Sequence, residues 1–289
     1  MHVTKMHGCG NDYVYIDGWH TALPADLPAL ARRLSDRHTG IGGDGLIIVS
    51  PSSRADAQML MFNRDGSSSE MCGNGIRCAA KLAYDHGHVR APRMRIDTGA
   101  GILDLELSFT GEHCTGASVQ MGAPRLSPGS VPVEHPGPGP LLEVTLEIAG
   151  ASRRLLAVGM GNPHAVLFVD DPERIPVAEI GAAIEHHPRF PRRTNVEFVC
   201  RLPDEAGDAV LRQRTWERGS GETQACGTGA CATLVAAILD RRIDTRTAII
   251  RLNGGDLRVA WPDDQAQVRL SGPAATVFDG ELSPECGPG

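Results

Sequence analysis

Apolar positions recur along this chain with two periods, one helical and one strand-like, and the order of those periods repeats. In "DLPALARRLSDRH" (26 to 38), leucines at 27, 30 and 34 share one face of a 3.6-residue repeat, and Asp26 stands where an N-cap belongs. In "VAEIGAAIEHH" (177 to 187), Pro176 precedes Val177, Ile180 and Ile184 in the same arrangement. Both segments are predicted to be amphipathic helices. Each leads into an apolar run of strand type, "LIIVS" and "VEFVC". Further on, "MRIDTGAGILDLELSF" and "AIIRLNGGDLRVAW" each read as a strand, a glycine turn and a second strand.

The two series are in register with each other. "GNDYVYID" (10 to 17) aligns with "GNPHAVLFVD" (161 to 170), so Asn11 and Asn162 lie 151 residues apart. "MCGNGIRC" (71 to 78) aligns with "ACGTGAC" (225 to 231), so Cys72 and Cys226 lie 154 apart. Asn63-Arg64 stands nine residues before Cys72, and Glu217-Arg218 nine before Cys226. Spacing kept over five elements marks an internal repeat. It predicts an α/β (α+β) fold of two pseudo-symmetric lobes, each a strongly curved, mostly antiparallel sheet or barrel around the helix that follows its cysteine. The Pro/Gly-rich stretch "GAPRLSPGSVPVEHPGPGP" (122 to 140) reads as a loop or linker that holds the boundary between the lobes. The expected lobes are residues 1–122 plus 271–289, carrying Cys72, and 123–270, carrying Cys226. The tail "SPECGPG" is expected to be disordered and its Cys286 inert.

Composition narrows the partners. With 289 residues the chain is long enough for two ordinary domains. Its 28 basic and 35 acidic residues leave a formal charge of -7, which offers no footprint for nucleic acid or an anionic membrane surface. A small-molecule partner is expected. "MHVTKMHGCG" lacks the apolar core of a signal peptide, and "ATLVAAIL" (232 to 239) is too short to span a bilayer. A cytoplasmic location follows, where eight cysteines do not build a disulfide framework. The cysteines have no C-x2-C spacing, so no metal site is expected among them.

Cys72 and Cys226 each precede "GNG" or "GTG" and an Ala-rich run, which puts each at a helix N-terminus. Such a terminus lowers a thiol pKa and offers backbone donors to an anion. Two such cysteines, related by pseudo-symmetry, suit a two-base inversion of an α-carbon: one removes the proton while the other delivers a proton to the opposite face. A pyridoxal route needs a Schiff-base lysine. The chain has only Lys5 and Lys81, neither in a phosphate-cradling context, so no cofactor is expected. The blander readings differ by position. A cysteine is most often a small hydrophobe, and Cys78 and Cys231 keep that reading. His164 alone suits a satisfied core position, and Asn11 and Asn162 could simply end strands or cap turns. Glu217-Arg218 reads either as an exposed ion pair or, beside Gly219 and Gly221, as a cleft loop.

"NRDGSSSEMCGNGIR" (63 to 77) resembles the signature of the diaminopimelate epimerase family, and "MHGCGNDYVYID", "RHTGIGGDGLI", "GMGNPHAVLFVDD" and "ERGSGETQACGTGACA" resemble its other blocks. The resemblance implies an epimerase, independent of pyridoxal and metal, that interconverts LL- and meso-2,6-diaminopimelate in bacterial lysine and peptidoglycan-precursor synthesis. It also implies a homodimer. By position, Cys72 and Cys226 become the catalytic pair, and Gly73, Asn74, Gly227 and Thr228 supply donors around the reacting carboxylate. Asn11, Asn63, Asn162, Asn195 and Arg218 bind polar groups of the substrate, Arg218 gripping the distal carboxylate. His164 and Glu217 tune the cysteines, and Glu217 also contacts the reacting amino group. Where family members carry a contacting Gln, this chain has Gly45.

The nearest rival is a proline-racemase-like enzyme on the same scaffold, with a smaller, monocarboxylic substrate. From other classes, a thiol redox or metal-binding protein would need the absent C-x2-C spacing, and a solute-binding protein would not need two thiols.

Overall fold

The helical and strand-like periods of the two series fold into matching elements in the computed structural model, which describes residues 1–134 and 142–283. In chain order these are β1 (His2–Gly8), β2 (Asn11–Asp17), α1 (Leu27–Ser35), β3 (Gly45–Ser50), β4 (Ala57–Asn63), β5 (Ser68–Ser69), α2 (Gly73–Asp85), β6 (Arg93–Thr98), β7 (Gly101–Thr110) and β8 (His113–Gln120). Then follow β9 (Leu142–Ile148), β10 (Ala151–Gly159), β11 (Pro163–Phe168), α3 (Val177–Glu185), β12 (Asn195–Glu205), β13 (Asp208–Glu217), β14 (Gly221–Thr223), α4 (Gly227–Leu239), β15 (Thr247–Leu252) and β16 (Gly255–Ala260). β17 (Arg269–Pro273) and β18 (Ala275–Glu281) complete the chain. Two units result, Met1–Gln120 with Ser271–Gly289, and Met121–Leu270.

In the first unit β1 is antiparallel to β18 and β2, β2 is parallel to β3, β3 antiparallel to β4, and β4 parallel to β6. In the second unit β10 is antiparallel to β9 and β11, β11 is parallel to β12, β12 antiparallel to β13, and β13 parallel to β15. The same ladder is built twice. The register is also repeated, with Tyr13 opposite Gly45 in one unit and His164 opposite Asn195 in the other.

α2 packs against β1, β2, β3, β4, β6, β7 and β8, and α4 against β10, β11, β12, β15 and β16. A helix ringed by strands buries most of its surface, which favours small apolar residues, and on α2 only the C-terminal half reaches solvent, at Lys81, Tyr84 and Asp85. Ala79, Ala80, Ala83 on α2 and Ala230, Ala232, Ala236, Ala237 on α4 are accordingly buried. α1 covers the outer face of its sheet, setting Leu30 and Leu34 on Val14, Ile16, Leu46 and Ile48. It starts where the Asp26 side chain accepts the Ala29 N–H at 2.9 Å.

Over its described residues the Pro/Gly-rich stretch is a loop, as expected, and it is packed onto the second unit. Val131 and Val133 are buried in the core of that unit, and Arg125 exchanges backbone bonds of 2.8 and 2.9 Å with Gly159. The switch between units falls at Gln120/Met121, two residues before the expected boundary. The remainder of that stretch, 135–141, and the tail with Cys286 lie outside the described residues. Among the described residues no helix is long and apolar enough to cross a membrane.

Candidate functional site

Cys72 is the N-cap of α2, in extended backbone (φ -136°, ψ 120°). Its carbonyl accepts the Ile76 N–H at 2.9 Å, and its sulfur accepts the Gly75 N–H at 3.4 Å. The Cys72 thiol donates to Asn11 Oδ1 at 3.3 Å, and Asn74 Nδ2 donates to the same oxygen at 3.4 Å. Asn11 Nδ2 in turn donates to Asp44 Oδ2 at 2.7 Å. A carboxylate can only accept, so Asp44 fixes the amide with its oxygen toward Cys72. Beneath this turn lies Arg77, fully buried, donating to Gly73 O (2.8 Å), Asn74 Oδ1 (3.0 Å) and Pro273 O (3.2 Å). It pins the first turn of α2. Asn63 ends β4 and donates to Ser67 Oγ at 3.0 Å, while the next residue, Arg64, donates its N–H to Asp44 O at 3.0 Å.

Position 45 has no room for a side chain on its present backbone: a Cβ there would lie 2.1 Å from Phe62 O on the neighbouring antiparallel strand β4.

In the second unit Cys226 is the N-cap of α4 (φ -118°, ψ 109°) and is 5% exposed. Its sulfur lies 3.5 Å from Thr228 Oγ1. On the parallel strands β11 and β12, His164 Nδ1 stands 2.8 Å from Glu197 Oε1, and His164 Nε2 stands 2.9 Å from Asn162 Oδ1. Both His164 and Glu197 are fully buried, and Glu197 Oε2 has no hydrogen-bond partner among the described residues. A Cβ at Gly229 would fall 2.7 Å from Glu197 Oε1, so only glycine there lets the carboxylate lie over the start of α4. Glu217, at the end of β13, accepts from Thr223 Oγ1 at 2.5 Å.

Asn195 joins two backbones: its Nδ2 donates to Pro163 O and its Oδ1 accepts the Arg218 N–H, both at 2.9 Å. The buried Glu185 at the end of α3 accepts from Trp216 Nε1 at 2.7 Å and from the Gly219 N–H at 3.1 Å. The loop carrying Glu217 and Arg218 is thus clamped from both sides. Arg218 itself is exposed and donates to Arg192 O at 2.9 Å.

The thiols do not share one electrostatic setting. Burial pushes the Cys226 thiol well above its ordinary range, and the carboxylates of Glu217 and Glu197 push it the same way. The expectation that a helix N-terminus lowers this pKa is overturned, because desolvation and two nearby carboxylates outweigh the helix field. Burial likewise raises the Glu217 carboxyl. Cys78 is fully buried and pushed up to about 11 by desolvation, which suits its structural reading. α2 and α4 begin at Gly73 and Gly227, so the N–H groups of Gly73, Asn74, Gly227 and Thr228 stand in first turns, where the helix itself supplies no acceptor. Each unit can therefore offer one carbon acid a thiol and a set of anion-binding donors.

Sequence reasoning missed Asp44, Arg77 and Glu197. Glu197 had a visible signal, a charge inside the apolar run "VEFV", and Arg77 had one too, a cation inside the Ala-rich run after Cys72. Asp44 had none, since only the β2–β3 register brings it to Asn11.

The sequence profile of the family described as diaminopimelate epimerase matches residues 3–127 and 156–277. A diaminopimelate epimerase of Desulfitobacterium hafniense is 50% identical over 286 residues, covering 98% of each chain. One from Pelotomaculum thermopropionicum is 48% identical over 282 residues, 97% of this chain and 98% of that one. Among solved structures, a hydroxyproline epimerase from Agrobacterium vitis superimposes with a TM-score of 0.67 at 18% identity, covering 99% of this chain and 93% of the other. A phenazine biosynthesis protein from Bacillus anthracis gives 0.70 at 14% identity, covering 98% and 99%. These two share the fold.

Proposed function

The chain belongs to the diaminopimelate epimerase family, and we propose that it interconverts LL- and meso-2,6-diaminopimelate by a two-base route through Cys72 and Cys226. The observation that carries this reading is the pair of N-cap cysteines, each heading a 13-residue helix at the equivalent place in two equivalent units.

In one direction Cys72 takes the α-proton and Cys226 delivers its own to the opposite face of the carbon. The burial and carboxylates that keep Cys226 a thiol suit it to donate. After turnover the proton count is unchanged, with Cys72 now the thiol and Cys226 the thiolate, ready for the reverse reaction. The N–H groups of Gly73, Asn74, Gly227 and Thr228 hold the reacting carboxylate and stabilise the charge that spreads onto it as the proton leaves. Asn11, Asn63 and Asn162 receive polar groups of the substrate. Arg218 grips the distal carboxylate, and Asn195 sets the Arg218 backbone. His164 and Glu217 bias the protonation of Cys226. The test is uptake of deuterium from solvent at an α-carbon of diaminopimelate by the purified protein. Exchange on proline instead, with diaminopimelate inert, would overturn the substrate assignment.

The family's role supports lysine and peptidoglycan-precursor synthesis as the place of the reaction, and a thiol pair that must stay reduced suits the cytoplasm. The assembly we favour is a homodimer. β18 exposes the large apolar residues Val277 (57%) and Phe278 (44%), an unusual pair to leave to water. Light scattering of Phe278→Ser should report a monomer; an unchanged dimer would remove β18 from the interface.

A further inference from the structure

α2 carries Cys72 at its N-terminal cap and His86 at its C-terminal cap. At 1.5 Å per residue its 13 residues separate these ends by about 20 Å, well away from the thiol. At the His86 end three ligand-type side chains converge. Asp17, the last residue of β2, has its Oδ2 2.9 Å from His86 Nδ1 and 2.7 Å from His88 Nε2. The three ligand atoms lie within 4.8 Å of one another.

The surroundings hold these groups in place. Asp17 Oδ1 accepts the Trp19 N–H at 3.0 Å, which turns Oδ2 toward the two imidazoles. The His86 and His88 N–H groups donate to Leu82 O and Ala83 O, each at 3.0 Å, and Gly87 between them turns the chain at φ +79°. The Trp19 ring stacks on His88, with centroids 4.2 Å apart and planes 3° from parallel. The His20 ring lies 5.3 Å from that of His88. Ligands positioned by backbone bonds and stacking need little reorganisation to bind.

We propose that Asp17, His86 and His88 form a site for a divalent transition-metal ion, with zinc as its best-suited occupant and the fourth position left to water. Two imidazoles and a carboxylate are a borderline nitrogen and oxygen set, suited to zinc, nickel or copper rather than to magnesium or calcium. A tetrahedral ion with bonds of about 2.0 to 2.1 Å needs ligand atoms roughly 3.3 Å apart, so the cluster opens by about half an ångström at each contact to admit it. Each imidazole nitrogen that takes the ion must be free of its proton, which moves to the other ring nitrogen of a neutral histidine or to solvent from a charged one. The ion ties the end of β2 to the end of α2 and plays no part in the thiol chemistry.

The test uses full-length, tag-free protein stripped with chelator, titrated with Zn2+, with Mg2+ as the control ion. His86→Gln and His88→Gln retain an N–H for Asp17 but remove the imidazole ligand. One equivalent of zinc should bind with micromolar affinity or tighter, and zinc should raise Tm. Either Gln variant should weaken binding by roughly tenfold or more and abolish the rise in Tm, while epimerase activity measured without metal stays unchanged. A Cys72→Ala/Cys226→Ala protein should bind zinc as the parent does. Absence of saturable binding up to millimolar zinc overturns the proposal. So does zinc binding that survives both Gln substitutions together, or that disappears only with the cysteines.

Discussion

After burial, the Glu217 carboxylate is the largest influence that raises the Cys226 thiol, and Glu217→Gln isolates it. Gln keeps the size of the side chain and an oxygen to accept the Thr223 hydroxyl, which bonds Glu217 at 2.5 Å. It removes a negative charge that opposes ionisation of the Cys226 thiol. The sign is fixed: removing an anion favours the thiolate, so the titration moves to lower pH. Burial and Glu197 still act in the variant, so the thiol stays above its ordinary range while its midpoint falls below the parent's.

The assay is the ultraviolet absorbance of the thiolate across pH, taken as the difference between each protein and its Cys226→Ser counterpart. This reads the equilibrium directly and does not depend on reagent reaching a cysteine that is 5% exposed. Adding Glu197→Gln should lower the midpoint further, by less than the sum of the single effects, because both carboxylates act on one thiol. A midpoint that is unchanged in Glu217→Gln, or that rises, refutes the electrostatic account of Cys226.

Three further outcomes are expected. Cys72→Ala and Cys226→Ala should each remain folded by circular dichroism and lose epimerisation by about 10⁴-fold or more, because each deletes an obligatory proton partner; activity within tenfold of the parent contradicts the pair. Arg218→Ala should raise KM by roughly tenfold or more while leaving thiol titration unchanged, and an unaltered KM would mean that the guanidinium does not grip the distal carboxylate. Gly45→Gln should lower Tm by an amount equivalent to about 1 to 3 kcal/mol, since the new Cβ meets Phe62 O at 2.1 Å, and a Tm equal to the parent's would show that β4 can yield.

The fold was legible wherever the cause was local. Asp26 as a cap, the leucine face of α1 and the two cysteine-headed helices all follow from spacing within about a dozen residues, and the internal repeat gives the helices, though not the Asp26 cap, a copy. Composition marked the loop that begins at 122 but not its packing, since Val131 and Val133 are buried in the core of the second unit. The site was legible in its members but not in its wiring. Asp44 and Glu197 act through parallel strands that bring distant residues together, and no local period encodes that register. The sign of the Cys226 shift was misjudged for the same reason: the helix terminus is visible in "ACGTGAC", whereas burial and two carboxylates appear only once β12 and β13 are laid beside α4. His86 and His88 are 69 and 71 residues from Asp17, which hides their convergence from any motif search.

The repeat shows what has been kept and what has been changed between the two copies. Asn11 and Asn162, and Cys72 and Cys226, hold equivalent places, as the ladders require. The surrounding positions diverge. Tyr13 in one unit stands where His164 stands in the other, Gly45 where Asn195 stands, and Asn63 where Glu217 stands. Asn11 presents its oxygen to Cys72 under the control of Asp44, whereas Cys226 faces two carboxylates, with His164 bonded to one of them. A two-base inversion needs one thiolate and one thiol at the same moment. Two identical half-sites would titrate alike, and the state with the base on one chosen side would never be the majority. The carboxylates of Glu217 and Glu197 raise the Cys226 thiol, whereas in the other copy the carboxylate of Asp44 is engaged with Asn11 Nδ2, one bond removed from Cys72. In the proposed two-base route pseudo-symmetry supplies the two proton carriers, and this difference between the copies favours Cys226 as the one that begins as the acid.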